Sequence, residues 1–276
     1  MNAGSKILHP QIFRAVFEST SKLVQQGAMP TKLVRDGTRL KRTIPLRYAT
    51  DLLGTPPQFS RATANGSRTI IDGKTDRNRW SGVGVEANQS RGGLYLSTHL
   101  DALTNEMMYH GRRQGEIVSL SDILAGTYRG EPLPQEERLQ LQKVVVNLTA
   151  QTHIAVADLS GDSEAAKTFY SELSAKLEVK KAISGIYKSS LDAVNASDDH
   201  SASRAIALAL KENPYIEGIQ IGSVRRDYPS IGDTNDNVVL FGPDNKPLKT
   251  LRADSTTLYY LDDAGQLQSI AIPVEK

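Results

Sequence analysis

The chain has 276 residues, 39% of them hydrophobic and 23% charged, an ordinary balance for a globular protein with a sizeable core. It contains no cysteine, which excludes disulfides, thiolate zinc sites and cysteine nucleophiles together. No apolar run approaches the ~18 residues of a membrane helix, and the start MNAGSKILHPQIF lacks the charged, apolar and small-residue order of a secretory signal; we expect a cytoplasmic chain with no membrane partner.

The net charge of +2 conceals an asymmetry, because residues 1–56 hold nine Lys and Arg against three Asp and Glu. A basic leader can steer toward acidic partners, but a solvated face is the plainer reading. No aromatic interleaving of the single-strand-binding kind is present, so nucleic acid is not an expected partner.

In chain order, Pro10 suits a first turn and Ile12, Phe13, Val16, Phe17, Leu23 and Val24 form a helical stripe, which predicts a helix over 10–26 stopped by Gly27. A proline-punctuated connector follows from Met29 to Pro57, with KRTIPLRY locally extended and TPPQF marking a boundary. From Phe59 the texture is mixed α/β. A strand is expected at 93–97, a helix at 101–109, a strand end at 116–120, a serine-capped helix in SLSDILAG and a loop at EPLPQEE. KVVVNLT and HIAVADL read as strands because they are rich in β-branched residues. Helices are expected near 163–177, 180–194 and 201–211, with NASDDHS a polar loop. Strands at 215–221 and 237–241 flank SVRRDYPSIGDTND, and the tail reads as hairpins with strands in TTLYYL and QSIAI.

The chemistry concentrates in GGLYLSTHLDALTNEMMYH, residues 92–110, with RNRWSGVGV just upstream. A strand tyrosine, a glutamate on the following helix and nearby arginines suit a nicotinamide dinucleotide. Guanidinium groups bind diphosphate oxygens in pairs, a ring offers a face to nicotinamide, and a carboxylate stabilises the positive charge that develops as a glycosidic bond breaks. Each residue also has a plainer reading: Arg61 and Arg79 as surface cations, Tyr95 and Trp80 as core, Glu106 as a surface acid. The five histidines, His9, His99, His110, His153 and His200, show no metal spacing, and no metal is expected. GSV is no nucleophile elbow and GVGVEA no dinucleotide fingerprint.

The order FSRAT, RNRWSGVGV, GGLYLSTHLDALTNE, YIEGIQIGSVR and NVVLF, spanning about 59–241, resembles the RES domain. That family is the toxin half of many bacterial toxin–antitoxin pairs, and its fold is similar to that of ADP-ribosyltransferase toxins. The resemblance implies an α/β (α+β) protein with a split β-sheet and surrounding helices. It implies Arg61 and Arg79 as diphosphate ligands, Tyr95 as nicotinamide platform, Glu106 as the carboxylate at the ribose, and Ser223 as a hydrogen-bonding group, with Ser230 a competing match. Glu106, Tyr95 and Arg79 would then be catalytic, and Arg61, Arg79, Tyr95 and Ser223 would hold NAD. The implied activity is destruction of NAD as substrate by hydrolysis or phosphorolysis of the nicotinamide–ribose bond. The implied partner is an antitoxin or immunity protein; separately, the apolar stripe from Ile12 to Val24 needs a partner, either the outside of the catalytic core or a second copy of the chain.

The sequence departs from the family pattern in three places. Asn78 precedes the arginine–tryptophan pair and Ser81-Gly82 follow it, the loop from Gly84 to Arg91 is long, and Glu217 stands where Asp is usual. Residues 1–56 and the tail lie outside it, so the expected division is a basic helical extension at 1–56, a catalytic domain at 57–245 and a hairpin extension at 246–276. Two other functions stay open: a mono-ADP-ribosyltransferase acting on a protein or nucleic acid, and a non-catalytic module of phage or mobile-element origin.

Overall fold

The computed structural model describes residues 9–45, 80, 93–98, 112–141, 143–160, 163–196, 199–222, 236–241, 250–261, 263–264 and 266–273. Among them are seven helices: α1 (Pro10–Gln25), α2 (Leu120–Ala125), α3 (Gln135–Leu141), α4 (Glu164–Ala175), α5 (Leu177–Ile183), α6 (Ser190–Asn195) and α7 (Ser201–Lys211). Nine strands form one mixed sheet: β1 (Thr31–Val34), β2 (Arg39–Pro45), β3 (Gly93–Ser97), β8 (Lys143–Ala150), β9 (Ile154–Leu159), β10 (Gly218–Gly222), β11 (Asp236–Phe241), β12 (Leu251–Leu261) and β13 (Leu267–Pro273). Two short ribbons, β4–β5 (Arg112–Arg113 with Glu116–Ile117) and β6–β7 (Thr127–Tyr128 with Glu131–Pro132), complete the described elements.

The strand order is β1-β9-β10-β11-β3-β2-β8-β12-β13. β1 and β2 stand five places apart in it although only residues 35–38 join them; β8 and β9 stand equally far apart and are joined by 151–153. Connections this short require the sheet to curl until its parts face each other. The two corners lie side by side: Gly37 N–H donates to the Ala150 carbonyl at 2.9 Å, Ala150 N–H to that of Thr38 at 3.0 Å, and Asp36 N–H to His153 Nδ1 at 3.2 Å. Gly37 takes a φ of +79°, which a side chain would oppose.

The alternation of side chains across the strands then builds two cores. On the inner face, Leu40, Leu96, Val144, Val146, Leu148, Ile154, Val156, Val238 and Leu240 pack between the two parts of the curled sheet. On the outer face, Ala157, Ile219, Val239 and Phe241 pack against the helices through Ile12, Val16, Phe169, Leu173, Ile206 and Leu210. The apolar stripe of α1 is thus satisfied within the chain, chiefly on α7 and α5. A polar knot fixes its start: Asp199 accepts from Ser201 N–H (2.9 Å) and the Tyr187 hydroxyl (3.0 Å), while His9 N–H donates to the Ser201 hydroxyl (2.6 Å).

Several expectations need correction. The connector 29–57 supplies β1 and β2, which pair with β9 and β8 inside the main sheet. EPLPQEE enters β7 and α3 instead of remaining a loop, and the single helix expected at 180–194 is two, α5 and α6, separated by Gly185 at φ +78°. NASDDHS contains buried Asp199 and His200. The tail hairpin forms as expected and extends the same sheet through β12 on β8. All three expected segments, 1–56, 57–245 and 246–276, therefore contribute strands to one sheet.

Candidate functional site

The strand GLYLS is short but central, with β11 on one side and β2 on the other. Its register against β11 sets Tyr95 opposite Val239 and Ser97 opposite Asn237. Ala157, Ile219, Val239 and Tyr95 thereby form one continuous row on the helix-facing side of the sheet. Tyr95 is half-buried against that core, and its hydroxyl accepts the backbone N–H of Trp80 at 2.9 Å. Trp80 is 2% exposed, and its indole Nε1–H has no hydrogen-bond partner among the described residues. A buried donor of this kind is either a standing cost or a place reserved for an acceptor.

The strand GIQIG runs in the same direction as β3, since both are antiparallel to β11. The two strands therefore exit at the same end of the sheet, where Gly222 is opposite Asp236 and Ser97 opposite Asn237. Ser223 is the next residue after Gly222, and Glu106 follows Ser97 by nine positions. At the opposite end of β10, close packing demands glycine at 218, where a Cβ would come within 2.5 Å of the Val239 carbonyl oxygen. Glu217, preceding it, donates its backbone N–H to the Ala155 carbonyl and accepts the N–H of Phe241.

Of the residues expected at the site, the structure thus describes Tyr95 and its neighbour Trp80, which it joins by a hydrogen bond. Arg61, Arg79, Glu106, Ser223 and the competing Ser230 lie outside the described residues, as do His99 and His110. Tyr95 satisfies its core reading, a packed ring whose hydroxyl bonds the backbone of Trp80.

Sequence reasoning missed the basic residues of β2. Lys41 is in register with Ser97, and its ammonium donates to Asn147 Oδ1 at 3.0 Å. Asn147 in turn donates to the hydroxyls of Ser255 (3.0 Å) and Thr257 (2.8 Å), so a polar row continues from β3 across to β12. Burial, then the neighbouring charge of Arg39, lowers the Lys41 pKa. Arg42, one residue on, is 7% exposed, its Nε and Nη1 lack partners among the described residues, and burial pushes its pKa down to about 10. The signal was present in LKRTI: an arginine at the parity of Leu40 belongs to the apolar face of an alternating strand.

No cluster of three or more His, Asp or Glu side chains suited to a metal occurs among the described residues, and no described helix is long and apolar enough to cross a membrane. No family model, curated protein or solved structure matches the chain.

Proposed function

We propose that this protein consumes NAD by breaking the nicotinamide–ribose bond, with water or phosphate as acceptor, on an ADP-ribosyltransferase-like split sheet. The observation that carries the reading is the hydrogen bond from Trp80 N–H to the Tyr95 hydroxyl. It ties together two pieces of the motif fifteen residues apart, on the strand whose exit shares a sheet end with the strand leading to Ser223. The curl of the sheet around an inner core supports the split-sheet reading.

On this reading Arg61 and Arg79 hold the diphosphate, and Tyr95 presents its ring to nicotinamide. Glu106 binds the ribose and stabilises the oxocarbenium-like state as nicotinamide leaves, while Ser223 supplies a hydrogen bond. The catalysis is positional and electrostatic. A toxin acting on the NAD pool, restrained by an antitoxin or immunity protein, is the biological role this chemistry fits.

The test is incubation of the purified full chain with NAD, with and without phosphate, and identification of the products. Release of nicotinamide with ADP-ribose, or with its phosphorylated counterpart, supports the reading. NAD that stays intact without an added macromolecule, but is consumed when one is supplied and labelled, replaces it with mono-ADP-ribosyl transfer. Intact NAD in every condition overturns it.

A further inference from the structure

We propose that Arg42 and Thr256 form the two ends of an oxyanion site on the inner face of the sheet, one that takes a phosphate group. The inference is independent of the NAD reading, because β2 and β12 both lie outside the stretch that carries the family resemblance.

Three observations converge. Arg42 and Thr256 are both register partners of Val146, on opposite sides of β8, so all three share one face of the sheet. That face is apolar, with Leu40, Leu96, Val146 and Leu148 in the inner core. Arg42 is 7% and Thr256 1% exposed, and the Arg42 Nε and Nη1 and the Thr256 hydroxyl have no hydrogen-bond partner among the described residues. Native proteins satisfy nearly all their buried polar groups, and a buried charge without a counterion is the costliest exception. Two such exceptions on one register row point to a shared missing acceptor.

The chemistry of that acceptor follows from the donors. Arginine keeps its proton at neutral pH, so the ligand is anionic. Adjacent strands are ~4.8 Å apart, which puts Thr256 two spacings from Arg42, a gap the long guanidinium stem partly bridges. Donors approaching from two sides across a valine suit a tetrahedral group with three acceptor oxygens better than a planar carboxylate.

The test uses the full chain at pH 7.5 and constant ionic strength, titrated with inorganic phosphate, ADP or chloride while the thermal midpoint is followed. The expected result is a saturable rise with a phosphate-bearing ligand beyond that of chloride. Arg42→Met and Thr256→Val should each weaken the apparent affinity at least tenfold. A response to inorganic phosphate assigns the free ion, and a response to ADP alone assigns a nucleotide. Absence of any rise beyond chloride overturns the proposal. So does a rise that survives in either variant, because the general stabilising effect of phosphate is indifferent to these side chains. If Arg42→Met does not fold, Thr256→Val decides alone.

Discussion

Replacing Tyr95 by Phe isolates one atom of the candidate site. The ring keeps its packing beside Val239, so no cavity opens and no apolar burial is lost. What disappears is the acceptor for the Trp80 backbone N–H, which lies 2.9 Å from the hydroxyl on a residue only 2% exposed. A buried donor left without a partner costs about 1–3 kcal/mol. Tyr95 itself is half-buried, so some water reaches the region and the lower part of that range, about 1–2 kcal/mol, is expected. That lowers the folded-to-unfolded ratio roughly 5- to 30-fold. Urea unfolding at 25 °C, read through the chain's single tryptophan, measures it directly, with an unchanged slope showing that only stability moved. The native emission should also shift to the red as Trp80 loosens. A variant within about 0.3 kcal/mol of wild type, with unchanged emission, would refute the claim that this hydroxyl holds Trp80 in place.

Glu106→Gln should leave unfolding unchanged and reduce NAD turnover by roughly 10²- to 10³-fold, the usual cost of removing one electrostatic group at a developing charge; wild-type turnover would remove Glu106 from the mechanism. Deleting residues 1–28 should prevent stable folding, because Ile12, Val16 and Leu23 are each buried to within about 1% and such side chains contribute about 1.5–3 kcal/mol apiece; a cooperative, wild-type-like thermal transition in the truncated chain would show that α1 is dispensable. Arg42→Met should stabilise the ligand-free chain at pH 7 by up to about 3 kcal/mol, the equivalent of a guanidinium lowered by burial from its ordinary value to about 10. The sign follows from proton binding: between those pH values the unfolded chain holds more protons than the folded one, so the wild type gains stability as pH rises. The difference between the two proteins, measured by denaturant unfolding, should therefore shrink above pH 10, and a constant difference from pH 7 to 11 would contradict it.

The local periodicities were legible. β3, β8, β9, α7 and the tail hairpin lie close to where alternation, β-branching and turn residues put them, because each buries one regular face. The serine cap of α2 was equally readable, with Ser119 accepting from Asp122 N–H at 3.0 Å. The place of β1 and β2 was not. TKLV and RLKRTIP are basic and broken by Pro30 and Pro45, a composition shared with connectors; what makes them strands is pairing with β9 and β8 more than a hundred residues away. The split of 180–194 into α5 and α6 turns on one glycine whose left-handed conformation appears only in three dimensions. At the site, the neighbourhood of Tyr95 and Trp80 was legible only as a resemblance between motifs, since a hydrogen bond from a backbone amide leaves no trace in residue types. Arg42 was legible in principle from its parity with Leu40.

These pairings change how the basic leader is understood. Net charge alone made residues 1–56 look like an appendage, yet β2 is the strand that connects β3 to β8 and so joins the two parts of the curled sheet. Its contact with β3 is brief, a single register pair between Lys41 and Ser97, whereas its pairing with β8 covers seven positions from Arg39 to Pro45. β2 is thus held mainly by β8 and meets β3 at the end where β3 leaves the sheet. The positive charges of this segment serve that position. Lys41 spans to Asn147 on one face, while Arg42 points its charge into the inner core on the other. A basic segment that looks dispensable by composition therefore sets both the closure of the sheet and the charge beside its central strand.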